Sequence, residues 1–345
     1  MEAALHTLFA ALNALEALGR HFDPLEPDAM LDAIGEPEAA LGEGWLGDWP
    51  ADEDDARPAL EQAAGEIRAA FATWRAGLGT DDAFALYRAL RHAPRAQEAL
   101  YPLAHRLPAV SAFFLDPEMP DPEARAAQLA GLAPGRDTGL GHARNELNQR
   151  GGFSIYAPED YTPARAWPLV MVLHGGRGHG RSMLWTWVRD ARSYGAIVAA
   201  PTSMGETWAL SGFDNDTANL ARILDLVSAR WNIDPARRLL AGVSDGGTFA
   251  YMSGLRAGSP FTHLSPAAAA YNPLVEEHLD MDRLQGLPIF IVHGANDWMF
   301  PVESARIAAQ RLGGGGARVR YEEAPDLGHG YPREINSLIL DWLAE

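Results

Sequence analysis

Apolar side chains in the N-terminal part of the chain recur at the spacing of an α-helix. Leu5, Leu8, Phe9, Leu12 and Leu15 share one helical face. A second stripe follows Pro58, a residue suited to the first turn of a helix, and consists of Leu60, Ala64, Ile67, Phe71, Trp74 and Leu78. We therefore expect residues 1–137 to form an all-helical domain that serves as a cap, an oligomerisation surface or a scaffold.

Farther along, the pattern changes to short apolar runs separated by amphipathic segments. Residues 169–173 (Leu-Val-Met-Val-Leu) contain no polar side chain, as expected for a strand that is buried on both faces. Similar runs occupy residues 196–200, 239–243 and 289–292. An amphipathic helix is expected to begin at Asp216 between two of these runs. Strands that alternate with helices form a mainly parallel sheet covered by helices on both faces, so the fold class expected for residues 138–345 is α/β.

The composition excludes several kinds of chemistry. The 345 residues include no Lys and no Cys, which excludes a Schiff-base lysine, a P-loop lysine, a thiolate nucleophile and a disulfide. The formal net charge of −18 opposes binding to the phosphate backbone of nucleic acids. His174, His179 and His293 are accompanied by neither an HExxH motif nor a carboxylate cluster, so we expect no metal and no cofactor.

The sequence also indicates where in the cell the protein is expected. No apolar run is long enough to span a bilayer, and residues 1–20 lack the basic start of a signal peptide. A cytoplasmic protein without an integral membrane segment is therefore expected.

One serine stands at the junction of an expected strand and an expected helix. It belongs to the segment Gly242-Val243-Ser244-Asp245-Gly246-Gly247, which follows the apolar residues 239–241. Small residues on both sides let the chain turn sharply, so that the hydroxyl projects over the C-terminal edge of the sheet. The N–H groups at the start of the next helix then point toward a developing oxyanion. Ser244 is therefore the candidate nucleophile.

A serine hydroxyl needs a base, and the base needs an acid that orients it. In this kind of sheet the two follow the serine at the ends of later strands, the acid before the histidine. The run 289–292 leads into His293-Gly294-Ala295-Asn296-Asp297, and a candidate strand at 318–323 is followed by Gly328-His329-Gly330. Asp297 and His329 are therefore the candidate acid and base.

A glycine-rich corner closes the first apolar run. His174-Gly175-Gly176 follows residue 173, and the glycines let a backbone N–H point into the site. The N–H of Asp245, the residue after the nucleophile, would be the second donor. His174 is expected to anchor the corner by hydrogen bonds rather than to act in catalysis.

Four segments resemble a known family when they are taken together: LHGG at 173–176, GVSDGG at 242–247, HGANDWMFP at 293–301 and LGHG at 327–330. They resemble the α/β-hydrolase superfamily, and within it the serine carboxylesterase/phospholipase group with its polyhydroxyalkanoate-depolymerase-like and feruloyl-esterase-like relatives. The resemblance covers residues 150–345. It implies a Ser244–Asp297–His329 triad, an oxyanion hole made by the backbone of Gly176 and Asp245, and ester hydrolysis through an acyl-enzyme. Members of this group often carry Gln where Asp245 stands, which leaves the substrate class open.

The ester itself is only weakly indicated. Trp208, Tyr271 and Trp298 lie beside the expected catalytic loops and are the candidate substrate contacts, whereas Trp185 and Trp187 are expected in the core. The expected partner is a small-molecule ester, and the N-terminal helices are a candidate surface for a homo-oligomer. Two alternatives remain: a serine peptidase or amidase of the oligopeptidase type, and a non-catalytic, partner-binding protein. The complete triad argues against the second alternative.

Overall fold

The computed structural model describes residues 1–80 and 83–345, which form two compact units, Met1–Ala133 and Pro134–Glu345. The domain boundary expected from the sequence, between residues 137 and 138, falls in the segment that leads into the first strand of the second unit at Gly139.

The first unit is helical, as predicted. Its helices are α1 (Glu2–Arg20), α2 (Pro27–Ile34), α3 (Arg57–Gly77), α4 (Ala83–Leu90), α5 (His92–Leu100), α6 (Pro108–Phe113) and α7 (Pro122–Leu129). Both predicted apolar stripes face the interior of this unit: Leu8 and Leu12 of α1 are fully buried, and so are Ile67 and Trp74 of α3. Pro58 lies in the first turn of α3, as expected for a residue whose missing N–H has no acceptor there.

The second unit is built on one sheet of eight strands. The strands are β1 (Gly139–Ala143), β2 (Phe153–Ala157), β3 (Trp167–Leu173), β4 (Ile197–Pro201), β5 (Ile233–Val243), β6 (His263–Ala267), β7 (Pro288–Gly294) and β8 (Arg318–Ala324). Their order is β1-β2-β4-β3-β5-β6-β7-β8; β1 and β2 are antiparallel to their neighbours, and all later pairs are parallel. This arrangement confirms the predicted α/β-hydrolase fold.

Helices connect the parallel strands, and a last helix follows β8. They are α8 (Gly180–Met183), α9 (Trp185–Tyr194), α10 (Asp216–Arg230), α11 (Asp245–Gly254), α12 (Pro273–Glu276), α13 (Met281–Leu284), α14 (Glu303–Gly314) and α15 (Asn336–Leu343). The helix predicted to begin at Asp216 is α10. Among the helices of the described residues, none combines the length and the apolar character that crossing a membrane requires.

The apolar runs predicted β3, β4, β5 and β7 and did not mark β1, β2 or β6. β6 is a central strand, but its sequence includes the polar residues His263 and Ser265. In β3 every side chain except that of Pro168 is buried, as expected for a central strand with β4 and β5 on its two sides. β1 has a single neighbour and the sequence Gly-Leu-Gly-His-Ala, which has no run of large apolar residues to mark it. The carboxyl ends of the parallel strands β3, β5, β7 and β8 share one edge of the sheet, and the loops that follow them carry the candidate site.

Candidate active site

Ser244 occupies a strained turn between β5 and α11. Its backbone torsions are φ 56° and ψ −123°, a region that a residue with a side chain adopts at an energetic cost. The turn brings backbone atoms so close that side chains are excluded on both sides. A Cβ on Gly242 would lie 2.4 Å from the carbonyl oxygen of Gly246, and a Cβ on Gly246 would lie 2.5 Å from that of His174. The glycines of the motif are therefore a steric requirement of the turn.

We expect Gly246→Ala to destabilise the protein by about 1–3 kcal/mol, because the added methyl would collide with backbone oxygens that cannot rotate away. Gly314→Ala is the matched control, since a Cβ there meets no atom within 4 Å and its φ is not positive. Urea unfolding of both variants measures the difference. Equal stability of the two variants would contradict the steric argument.

The three candidate triad residues meet in one chain of hydrogen bonds. Ser244 Oγ lies 2.9 Å from His329 Nε2, and His329 Nδ1 lies 2.9 Å from Asp297 Oδ2. Since the buried carboxylate only accepts, Nδ1 carries the imidazole proton, and Nε2 is left to accept the proton of the serine hydroxyl. This is the tautomer that a general base requires.

The Asp297 carboxylate is held in its ionised form. Burial alone would raise the pKa of this carboxyl, but hydrogen bonds from His293, His329 and the backbone N–H of Phe300 together hold the pKa well below its ordinary value of 3.8. Oδ1 accepts from the N–H groups of Met299 at 2.9 Å and Phe300 at 2.8 Å. The loop after β7 therefore fixes the carboxylate with both oxygens near His329 Nδ1, Oδ1 at 3.0 Å and Oδ2 at 2.9 Å.

His293 is a supporting residue whose role the sequence reasoning missed. Its ring is 1% exposed, and its Nε2 lies 2.9 Å from the carbonyl oxygen of Phe300 and 3.3 Å from Asp297 Oδ2. Both partners accept, so Nε2 carries the proton and donates toward both of them. The sequence signal for this role is the position of the histidine at the end of β7, on the same turn as the acid. The sequence analysis treats this histidine only as a possible metal ligand.

The predicted oxyanion corner follows β3 directly. A Cβ on Gly175 would lie 3.4 Å from Ser244 Cβ, and one on Gly176 would lie 2.7 Å from Asp245 Oδ2, so the corner passes close to the nucleophile turn. The N–H of Gly176 donates to no backbone carbonyl within the described residues, and Asp245 begins α11, where N–H groups have no acceptor inside the helix. These two N–H groups remain the candidate donors to a ligand oxygen.

His174 anchors this corner, as expected. It is 2% exposed; its Nδ1 donates to the carbonyl oxygen of Gly175 at 2.7 Å, and its Nε2 accepts from the N–H of Ser203 at 3.1 Å. Burial lowers the pKa of His174 to about 3, and the charge of Arg150 acts in the same direction. The ring is therefore neutral, in the form that these two hydrogen bonds require.

We expect the free energy of unfolding to fall as the pH decreases below 6.5, in part because of His174. The unfolded chain binds a proton at this histidine near pH 6.5, and the folded protein does so only near pH 3. The resulting slope is about 1.4 kcal/mol per pH unit for this one group. Burial also lowers the pKa of His179, His263 and His278, which act in the same direction. Urea unfolding between pH 7 and pH 5 should show a shallower slope for His174→Asn than for His6→Asn, the control at an exposed position. Identical slopes would contradict the assignment.

The three candidate substrate contacts have different surroundings. Trp298 is half-buried and lies edge-on to His329, with ring centroids 5.6 Å apart, so it stands beside the predicted base. Tyr271 donates its hydroxyl to Glu276 Oε1 at 2.5 Å and packs edge-on against Tyr251. Trp208 is 2% exposed, stacks on Phe249 and donates from Nε1 to the carbonyl oxygen of His174 at 2.7 Å.

The placement of Trp208 does not support the expected contact with substrate, because its indole is enclosed behind the corner and has no open face. The prediction rested on an aromatic side chain beside a catalytic loop, and an aromatic side chain is equally suited to the core. Trp185 and Trp187 are buried, as predicted. No group of three or more potential ligands within residues 1–80 and 83–345 could hold a metal ion.

Comparisons with known proteins point to esterases. No protein-family model matches the chain. It is 32% identical over 150 residues, 41% of its length, to a bifunctional acetylxylan esterase/xylanase of Neocallimastix patriciarum. It is 27% identical over 184 residues, 51% of its length, to a probable feruloyl esterase C of Aspergillus terreus. The chain covers 21% of the first relative and 65% of the second.

Solved structures give distant matches. A fluorophosphonate-binding serine hydrolase of Staphylococcus aureus matches 60% of this chain and 97% of its own, with 16% identity and a TM-score of 0.47. A thermostable esterase matches 61% of this chain and 60% of its own, with 20% identity and a TM-score of 0.45. The two esterase relatives and the fold confirm the resemblance to the esterases of the α/β-hydrolase superfamily.

Proposed function

We propose that this α/β-hydrolase is a serine hydrolase that cleaves carboxylic esters. The observation that carries the proposal is the unbroken hydrogen-bond chain from Asp297 through His329 to Ser244. A buried carboxylate, an imidazole in the tautomer of a base and a hydroxyl on a strained turn are the three parts of an activated nucleophile. The fold alone would not require them to meet.

In the proposed first half-reaction, Ser244 Oγ attacks the ester carbonyl carbon while His329 Nε2 takes its proton. The carbonyl oxygen becomes an oxyanion, which accepts hydrogen bonds from the N–H groups of Gly176 and Asp245. The intermediate then collapses: the bond to the alcohol breaks, His329 returns the proton to the departing oxygen, and an acyl-enzyme is left on Ser244.

In the second half-reaction, water takes the place of the alcohol. His329 removes a proton from the water, whose oxygen attacks the acyl carbon, and the same backbone donors hold the oxyanion. Collapse of this intermediate returns the proton to Ser244 Oγ and releases the carboxylic acid. Asp297 stays ionised throughout and stabilises the imidazolium that forms in each half-reaction.

The relatives favour an ester over an amide as substrate. Both carry the word esterase in their names, one for acetylxylan and the other for feruloyl groups. The half-buried indole of Trp298 beside His329 is the side chain that we propose to contact the substrate.

Two measurements on the full chain test the proposal. The first compares p-nitrophenyl esters from acetate to palmitate with p-nitroanilides of the same acids, which differ only in the atom that leaves. The second treats the protein with an alkyl fluorophosphonate, which should phosphonylate Ser244 Oγ with release of fluoride, and locates the adduct by mass spectrometry. Ester turnover blocked by an adduct on Ser244 is the expected result. Faster turnover of the anilides would favour an amidase, and an adduct elsewhere would overturn the assignment of the nucleophile.

A further inference from the structure

The loop that follows β4 is closed into a compact unit by one buried carboxylate. We call residues 203–209 the support loop. Asp216, at the first position of α10, accepts from the N–H of Met204 at 2.8 Å through Oδ1 and from the N–H of Ala209 at 2.9 Å through Oδ2. The Asp216 side chain thus joins the two ends of the support loop.

The support loop lies against the oxyanion corner and holds it at several points. Besides the hydrogen bond from Ser203 to His174, the carbonyl oxygen of Glu206 accepts from the N–H of Arg177 at 3.1 Å. The indole of Trp208 donates to the carbonyl oxygen of His174. These contacts hold His174 and Arg177, the residues on either side of Gly175 and Gly176. The position of the Gly176 N–H therefore depends on the support loop.

One side-chain contact joins the support loop to the nucleophile turn. Thr207 Oγ1 donates to Asp245 Oδ2 at 2.6 Å. The same carboxylate oxygen would lie 2.7 Å from a Cβ on Gly176, so it stands directly over the corner. Asp245 lies in the first turn of α11, where the helix dipole favours a negative charge, and a charged carboxylate accepts stronger hydrogen bonds than a neutral group does.

We propose that Thr207 is a positioning residue that sets the spacing of the oxyanion hole. The two expected donors, the N–H groups of Gly176 and Asp245, belong to different loops, and the hole works only when both lie about 2.7–3.1 Å from the oxyanion. The corner is held by the support loop, and the Thr207–Asp245 hydrogen bond joins that loop to the nucleophile turn. This inference rests on the proposed esterase function and adds to it a residue that touches neither the substrate nor the triad.

The test compares Thr207→Val with Thr207→Ser. Valine keeps the shape but removes the donor, whereas serine keeps the hydroxyl. We expect Thr207→Val to lower kcat for p-nitrophenyl acetate by about tenfold or more while KM changes less than twofold, because the contact supports the transition state rather than substrate binding. Affinity for a methyl trifluoromethyl ketone, which forms a tetrahedral adduct on the serine, should fall in parallel with kcat/KM. Thr207→Ser should recover most of the loss.

Thr262→Val is the matched control, since this half-buried hydroxyl accepts from the N–H of Arg238 at 2.9 Å at the opposite edge of the sheet. It should unfold at a similar urea concentration to Thr207→Val and retain kcat. The inference is overturned if Thr207→Val keeps kcat within twofold of the wild type, if Thr207→Ser is as slow as Thr207→Val, or if the control loses as much activity. Failure of the proposed function is a separate result, because it would appear as wild-type turnover that survives Ser244→Ala.

Discussion

Replacing Ser244 or His329 by Ala is expected to lower kcat for ester hydrolysis by about 10⁵–10⁶-fold. Without Oγ no acyl-enzyme forms, and without the imidazole the Oγ that remains keeps its proton, because His329 Nε2 is the group at 2.9 Å that would take it. The two residues perform one step together, so the double variant should be no slower than either single variant. The rate enhancement that remains over uncatalysed hydrolysis in water would come from substrate binding and the backbone donors.

The measurement is steady-state hydrolysis of p-nitrophenyl acetate, with Ser228→Ala as the control because Ser228 lies exposed on α10. Circular dichroism and urea unfolding should show that the Ala variants remain folded. Turnover within tenfold of the wild type in folded Ser244→Ala would refute the nucleophile. Additive losses in the double variant would mean that Ser244 and His329 act in separate steps.

The sequence could predict the members of the triad because the topology of a parallel sheet converts chain order into proximity. Ser244 and Asp297 follow the apolar strands β5 and β7, His329 follows the polar edge strand β8, and parallel strands bring their carboxyl ends to one edge. Side chains one to five residues past such strands, as these three are, can therefore meet whatever the length of the helices between the strands. The strained turn at Ser244 was predictable for a related reason, since only small residues fit on either side of it.

The supporting residues could not be predicted in the same way. His293, Thr207 and Asp216 act through hydrogen bonds whose partners are set by the path of a loop, and loops carry no periodic signal. The support loop contains polar and aromatic residues in no repeating order, so its contact with the corner appears only in three dimensions. Trp208 illustrates the ambiguity: position beside a catalytic loop suggested a ligand contact, and packing placed it in the core.

Asp297→Asn is expected to lower kcat by about 10⁴-fold, although it changes a single atom. Met299 and Phe300 donate their N–H groups to Oδ1, so the amide oxygen of Asn should take that position. Its NH₂ group should then take the position of Oδ2, which lies 2.9 Å from His329 Nδ1. This donor at the position of Oδ2 favours the imidazole proton on Nε2 over the proton on Nδ1, which would keep only the acceptor at the position of Oδ1. On Nε2 the proton points at Ser244 Oγ and prevents the ring from acting as a base. The NH₂ group would also meet the Nε2–H of His293, so no rotation of the amide satisfies every partner.

Asp341→Asn, at an exposed position on α15, is the control for the chemistry of the substitution and should retain wild-type turnover. The tautomer can be observed directly: ¹⁵N NMR of the histidine rings should assign the proton of His329 to Nδ1 in the wild type and to Nε2 in Asp297→Asn. A slow variant whose His329 keeps the Nδ1 proton would mean that Asp297 acts by charge alone. A variant within tenfold of wild-type kcat would remove Asp297 from the catalytic unit, and His293 would then have to be tested as the residue that orients the base.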